Sequence, residues 1–446
     1  MNTVVALSTP RGRGALAVIR LSGPEAMAIA QRMARVGAFE PRRATLTTLR
    51  AGDEVLDQVL VTCFPAPHSL TGEDVVEISC HGSPAIVRRI IDATLESGAA
   101  LAGPGEFTLR ALSNGKINLA QAEAIRDLIA AQTDAAVKQA ARQLNGELSK
   151  TLDPFKEKLV HVIVLLESAL EFVEDDLPAP QVNQVEETLN SVITGVDRLS
   201  QSYGAGRLLQ DGAKIVITGR PNVGKSSLFN GLVKSERAIV TEVPGTTRDT
   251  LSESIDLGGV PVVLTDTAGL RETSDNVESL GIERTHRAMG DADLVLLVLD
   301  GSNELGPEDE ELLKQTADIR RLVVMNKSDL PSFQPVARCV EDVEAINVSA
   351  RTGDGLSALH SAILNRLNSA GAENGSLLIT NARHYDLLCS AKRELELARA
   401  CFSHRHSEEL VLDPLHNALK LLGQITGETT TEDILSEIFA TFCIGK

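Results

Sequence analysis

The stretch KIVITGRPNVGKSSLFNGLV, beginning at Lys214, restricts the fold more than any other part of the chain. It holds the pattern G-x-x-x-x-G-K-[ST], with Gly219, Gly224, Lys225 and Ser226 at the fixed places. Such a loop works only when an apolar strand leads into it and a helix leaves it, so that successive backbone N–H groups wrap a phosphate. KIVIT is a buried-strand run, and SLFNGLV reads as the start of a helix. The wrapping residues are Asn222, Val223, Gly224, Lys225, Ser226 and Ser227; Lys225 reaches the β and γ oxygens and the Ser226 hydroxyl joins Mg2+. Three further runs, PVVLTDT, DLVLLVLD and RLVVMN, alternate with helical segments, which predicts βαβ units and a parallel sheet.

Three short motifs follow in the order a guanine-nucleotide protein needs. DTAG, from Asp266 through Thr267 and Ala268 to Gly269, ends a strand, so Asp266 can reach Mg2+ through water and the Gly269 amide can sense the γ-phosphate. NKSD supplies Asn326, Lys327 and Asp329. The Asp329 carboxylate can accept from the ring N1–H and the exocyclic amine of guanine, a donor pair that adenine lacks. SAR, comprising Ser349, Ala350 and Arg351, completes the base pocket, and the expected ligand is GTP rather than ATP. Where Ras-type switches carry a glutamine after DTAG to orient water, this chain has Leu270, which has no hydrogen-bonding group. That work falls to a charged residue beyond it, with Arg271, Glu272, Glu278 and Glu283 as the candidates.

With 446 residues, 43% of them hydrophobic, the chain can form several packed cores. No stretch approaches eighteen apolar residues and the amino terminus has no signal-peptide pattern, so the expectation is a soluble, cytoplasmic protein with no membrane contact. A formal charge of −18 argues against wholesale coating of nucleic acid. One basic region stands out: the first fifty residues hold Arg11, Arg13, Arg20, Arg32, Arg35, Arg42, Arg43 and Arg50 against only Glu25 and Glu40. It is either a patch for RNA or an ordinary solvated surface. The six cysteines form no CxxC pair, which suggests neither a zinc site nor a disulfide framework. His81 beside Cys80 is read as structural. Cys443 lies in the ending CIGK, whose Gly445 and Lys446 do not fit a prenylation box. It is a packed thiol or a reactive one.

The texture of the sequence changes along its length. Residues 1–117 mix β-branched runs (GALAVIRL, DQVLVTCF, EDVVEISCHGSP) with the helical IVRRIIDATLESGA, giving an α+β domain. Residues 118–210 are Ala- and Leu-rich helices, 211–371 the α/β unit, and 372–446 helices again. So short a set of closing helices makes a poor core alone, and the economical arrangement packs them on the helices of 118–210, with the α/β unit inserted in a discontinuous all-α domain.

With Asn222, the segment TEVPGTTRD, Leu270 after DTAG and the terminal CIGK all present, the chain resembles the MnmE (TrmE) family of tRNA modification GTPases over its whole length. The resemblance implies a multidomain fold with an amino-terminal tetrahydrofolate-binding and dimerisation domain, a discontinuous helical domain and an inserted Ras-like GTPase domain. It implies a homodimer that works with the flavoprotein MnmG in a heterotetramer or larger complex. That complex adds a carboxymethylaminomethyl or aminomethyl group at C5 of the wobble uridine of certain tRNAs, drawing on 5-formyl- or methylene-tetrahydrofolate. By position, Asn222 resembles the side-chain ligand of K+, joined by carbonyls of Thr241, Val243 and Thr246. Thr247 resembles the switch threonine on Mg2+, and Glu242, Pro244 and Gly245 fall among the nucleotide contacts. Glu278 resembles the residue that orders the attacking water, with Arg271 as a second catalytic candidate and Cys443 as a third. The folate pattern falls on Arg20, Glu77, Lys116 and Lys446. The competing reading is a ribosome-assembly or signalling switch that modifies nothing.

Overall fold

The computed structural model describes residues 2–171, 179–235, 237–239, 252–266, 288–334, 345–367, 377–404, 408–428, 435 and 438–445. The chain divides into two compact units: Met1–Arg126, Leu144–Ser149 and Gly423–Lys446 form one, and Asp127–Gln143 with Lys150–Leu422 the other.

The first unit is built on a six-stranded sheet of β1 (Val4–Leu7), β2 (Leu16–Ser22), β3 (Thr45–Ala51), β4 (Glu54–Phe64), β5 (Val75–His81) and β6 (Ala100–Leu101), in the order β3-β4-β5-β2-β1-β6. Neighbours run antiparallel except β1 and β6, which are parallel. Strand alternation decides which side chains are hidden. Ala17, Ile19 and Leu21 of β2 and Val76, Ile78 and Cys80 of β5 enter one core, which α1 (Ala26–Ala34) and α2 (Pro84–Glu96) cover with Ile29, Ala30, Met33, Ile90 and Ala93. The residues between them, Arg20 on β2 and Glu77 on β5, project from the opposite face and stand directly across from each other in register. The strands expected in GALAVIRL, DQVLVTCF and EDVVEISCHGSP are present, and the helical stretch IVRRIIDATLESGA falls largely within α2.

The tail belongs to this first unit. Phe439 and Phe442 pack with Leu119 and Ala122, a bridge joins Ile444 to Pro104, and the Gly105 N–H donates to the Cys443 carbonyl at 3.3 Å.

The second unit holds a seven-stranded sheet of β7 (Ala213–Thr218), β8 (Arg237–Ala238), β9 (Ser252–Leu257), β10 (Val260–Asp266), β11 (Leu294–Asp300), β12 (Arg321–Asn326) and β13 (Ala345–Asn347), in the order β13-β12-β11-β7-β10-β9-β8. The five strands from β13 to β10 are parallel; β9 runs antiparallel to β10 and β8 antiparallel to β9. Every residue of the central strand β11 is buried, the reason DLVLLVLD is apolar without alternation. The chain before and after this sheet meets again in helices: Ala382–Ser403 runs along Ala179–Gln201, joined by Lys392 Nζ to Asp197 Oδ1 at 2.7 Å and Arg399 Nη1 to Asn190 Oδ1 at 3.0 Å. Close approach among these helices needs small residues. A Cβ on Gly195 would lie 2.3 Å from the Phe155 ring. No helix among the described residues is long and apolar enough to cross a membrane.

Candidate functional site

The phosphate loop leaves the end of β7 and enters the helix Lys225–Ser235. Three of its residues have positive φ: Gly219 at +153°, Asn222 at +64° and Gly224 at +97°. Asparagine tolerates that region better than other non-glycine residues. At 224 the requirement is also steric, because a Cβ there would lie 2.2 Å from Asn326 Nδ2. That close approach ties the loop to the NKSD motif. Asn326, almost fully buried at the end of β12, donates from Nδ2 to the Val223 carbonyl at 2.8 Å, and its Oδ1 accepts from the Ala350 N–H at 2.9 Å. One side chain thereby fixes the phosphate loop and the SAR segment against each other. Asp329 is exposed, with Oδ1 accepting from the Ser349 hydroxyl at 2.7 Å. Arg351 is exposed, and so are Ser226 and Ser227.

The Lys225 ammonium donates to the Arg220 carbonyl at 2.9 Å, which holds a buried stem across the loop. The Ser226 hydroxyl donates to Asp266 Oδ2 at 2.7 Å, and Asp266 is completely buried at the end of β10. A hydroxyl and a carboxylate brought together at the mouth of a phosphate loop are the hard oxygen donors that Mg2+ takes, and these residues fit that ion. Of the other nucleotide and ion assignments, Thr241, Glu242, Val243, Pro244, Gly245, Thr246, Thr247, Thr267, Ala268, Gly269, Arg271 and Glu278 lie outside the described residues.

Reading motifs alone overlooks Asp300, at the end of β11. It accepts from Lys327 Nζ at 2.7 Å, from the Ser302 hydroxyl at 2.6 Å and N–H at 3.0 Å, and from Asn303 Nδ2 at 2.9 Å. Burial pushes its pKa upward, but these donors outweigh it and hold the carboxyl at about 2. The available signal was an aspartate ending a fully apolar strand and followed by a turn.

In the first unit the folate assignments fall in two places. Arg20 donates to Glu77 Oε1 from Nη2 at 2.7 Å and from Nε at 3.0 Å. Both contacts use Oε1, so Oε2 remains available to a donor edge. The same guanidinium carbon sits 5.7 Å from the centre of the Phe107 ring, and Nη1 lies 3.5 Å from the Gly445 carbonyl. That carbonyl also accepts from the Ser8 hydroxyl at 3.0 Å. Lys116 is exposed and donates to the Pro67 carbonyl at 3.0 Å; Lys446 lies outside the described residues. Cys443, two residues from Gly445, is exposed. Cys63 and Cys80 differ from it: burial first, then the nearby carboxylates of Asp74 and Asp57 respectively, push each thiol up to about 11. Those two are inert.

Comparison with known proteins finds two family matches that follow one another along the chain. The family described as the TrmE amino terminus of a GTP-binding protein matches residues 3–116, and the one described as the MnmE helical domain matches residues 119–443. A relative from Koribacter versatilis, named tRNA modification GTPase MnmE, is 43% identical with 100% of this chain and 99% of its own length covered. Another of the same name from Aquifex aeolicus is 42% identical with 99% of each chain covered. Among solved structures, the G domain of the T. maritima FeoB iron transporter aligns with 34% of this chain and 98% of its own, at 27% identity and a TM-score of 0.26. With two family matches that together span residues 3–443 and full-length identities above 40%, the chain belongs to the MnmE family of tRNA modification GTPases.

Proposed function

We propose that this GTPase works with the flavoprotein MnmG to build a carboxymethylaminomethyl or aminomethyl group at C5 of the wobble uridine of certain tRNAs, using a one-carbon unit carried on 5-formyl- or methylene-tetrahydrofolate. The observation that carries the reading is the seat of the tail. The Gly445 carbonyl lies against Ser8 and Arg20, Arg20 is paired with Glu77, and Cys443, two residues before Gly445, is exposed. A carboxylate with one oxygen available suits the donor edge of a pterin, while Lys116 and Lys446 suit the carboxylates of its glutamyl tail. Cys443 at that edge serves as nucleophile or proton donor toward the pyrimidine.

In the nucleotide site, Asp329 selects guanine, Lys225 holds the β and γ oxygens, and Ser226 with Thr247 holds Mg2+, with Asp266 reaching the ion through water. Asn222 and the carbonyls of Thr241, Val243 and Thr246 hold K+, which supplies positive charge where other GTPases receive an arginine. Glu278 orders the attacking water in place of the missing glutamine, with Arg271 as a second candidate. The working unit is a cytoplasmic homodimer joined to MnmG. Nucleoside mass spectrometry of tRNA from cells lacking this protein tests the proposal. The modified wobble uridine should disappear and return with the wild-type gene but not with Arg20→Ala; an unchanged nucleoside profile in the deletion overturns it.

A further inference from the structure

The segment after β11 carries a second carboxylate that the nucleotide motifs do not account for. Asp309 lies in the first turn of the helix Pro307–Gln315 and is 1% exposed. Its Oδ2 accepts from the Gly306 N–H at 3.0 Å, which caps the helix. The same oxygen lies 3.3 Å from Nε of Arg220. Arg220 is the residue directly after Gly219 in the phosphate loop, and its guanidinium runs along Gly306, where a Cβ would be 3.4 Å from Nη1. The other oxygen of Asp309, Oδ1, is buried with no hydrogen-bond partner among the described residues.

Capping alone does not explain a carboxylate here. An asparagine at 309 would still accept from the Gly306 N–H and so would still cap the helix. What asparagine cannot supply is the charge that holds a guanidinium. That guanidinium belongs to the residue whose carbonyl accepts from Lys225 Nζ at 2.9 Å. The connections run from Asp309 to the Arg220 side chain, along the Arg220 backbone, and on to the ammonium that meets the phosphates.

We propose that Asp309 is a positioning residue for the phosphate loop: by pairing with Arg220 it fixes the carbonyl that places the Lys225 ammonium for the β and γ oxygens of GTP. The inference rests on the assignment of GTP to this site. At the other end of the same ten-residue segment Asp300 grips Lys327 of NKSD, so residues 300–309 strap the phosphate-binding loop and the base-binding loop together.

The test uses the full chain and measures GDP and GTP binding by calorimetry, steady-state hydrolysis and the thermal midpoint for wild type, Asp309→Asn, Arg220→Gln and the double variant. The expected result is that each single variant raises Kd and KM for GTP about tenfold, on the scale of losing one charged contact. The double variant should be no worse than either single one. Unchanged Kd and KM in both single variants overturn the proposal, as does a double variant whose losses multiply. If Asp309→Asn does not fold, Arg220→Gln alone decides by the same tenfold criterion, since its side chain is partly exposed. Failure of the wild type itself to bind GTP would instead refute the assignment of the nucleotide.

Discussion

Replacing Gly445 with alanine should lift the tail from its seat while leaving both units folded. Gly445 has φ +98°, and a Cβ there would lie 2.1 Å from the Leu7 carbonyl oxygen and 3.2 Å from the α-carbon of Ser8. Leu7 ends strand β1 of the sheet, so that backbone cannot retreat. A non-glycine residue in the left-handed region costs about 1–2 kcal/mol, and the clash adds to it. The Ser8 hydroxyl to Gly445 contact at 3.0 Å and the Gly105 N–H to Cys443 carbonyl contact at 3.3 Å are lost whenever the tail leaves, in wild type and variant alike, so the difference between them is the strain and the clash. At about 1–2 kcal/mol before the clash is added, this lowers the docking equilibrium constant by a factor on the order of ten or more. Hydrogen exchange followed by mass spectrometry reads this at two places, the peptide around Gly105 and the peptide covering 438–446. Both should lose protection in the alanine variant, GTP hydrolysis should stay within about twofold of wild type, and wobble-uridine modification with MnmG should fall with the docked fraction. Unchanged exchange at Gly105 would refute the argument, because it would mean that the tail is not held by this seat.

Hydrolysis should rise strongly in KCl over NaCl at equal ionic strength, and Asn222→Ala should abolish the difference; equal rates in the two salts would remove the K+ assignment. Asp329→Asn should weaken GTP binding by about tenfold or more and favour xanthosine triphosphate, whose ring presents the opposite edge, and competition binding measures the exchange of preference. Cys443→Ser should leave folding and K+-stimulated hydrolysis intact and eliminate the modified nucleoside in a reconstituted reaction with MnmG, whereas a normal yield would return the thiol to a packing role. Because the Asp300 carboxyl is held at about 2 against an ordinary 3.8, its stabilisation is present above pH 4 and is lost as the pH falls toward 2. Thermal midpoints measured from pH 2 to 5 should therefore drop less steeply for Asp300→Asn than for wild type.

What could be read from the sequence follows the range over which each feature is determined. The nucleotide loops were legible because each depends on contiguous residues: a glycine where backbone must pass close to Asn326, a lysine and hydroxyl at fixed offsets, and an aspartate at a strand end. The strands of the second sheet were legible because β11 and β12 are buried on both faces and so carry unbroken apolar runs. The pairing of Asp309 with Arg220 was not legible, since a single carboxylate 89 residues after its partner in sequence carries no spacing signal. The seat of the tail was still less so: the Ser8 and Gly445 contact joins residues 437 apart. Sequence texture grouped residues 372–446 as one helical segment, whereas the fold places Gly423–Lys446 with the first unit, because the apolar positions of a short helix do not say which core receives them.

The structure separates the roles within the closing box CIGK. Gly445 is required by geometry, for nothing with a Cβ fits against Leu7 at that backbone angle. Ile444 is half exposed and contributes through its backbone bridge to Pro104 rather than through its side chain, so its identity is the least constrained of the residues described there. Cys443 is held by its own carbonyl while its side chain stays exposed, which distinguishes it from Cys63 and Cys80 in the core. Cys443 has its backbone fixed by Gly105, and two residues on the Gly445 carbonyl rests against Arg20 and Ser8, so the exposed thiol is carried on a chain segment held at both ends.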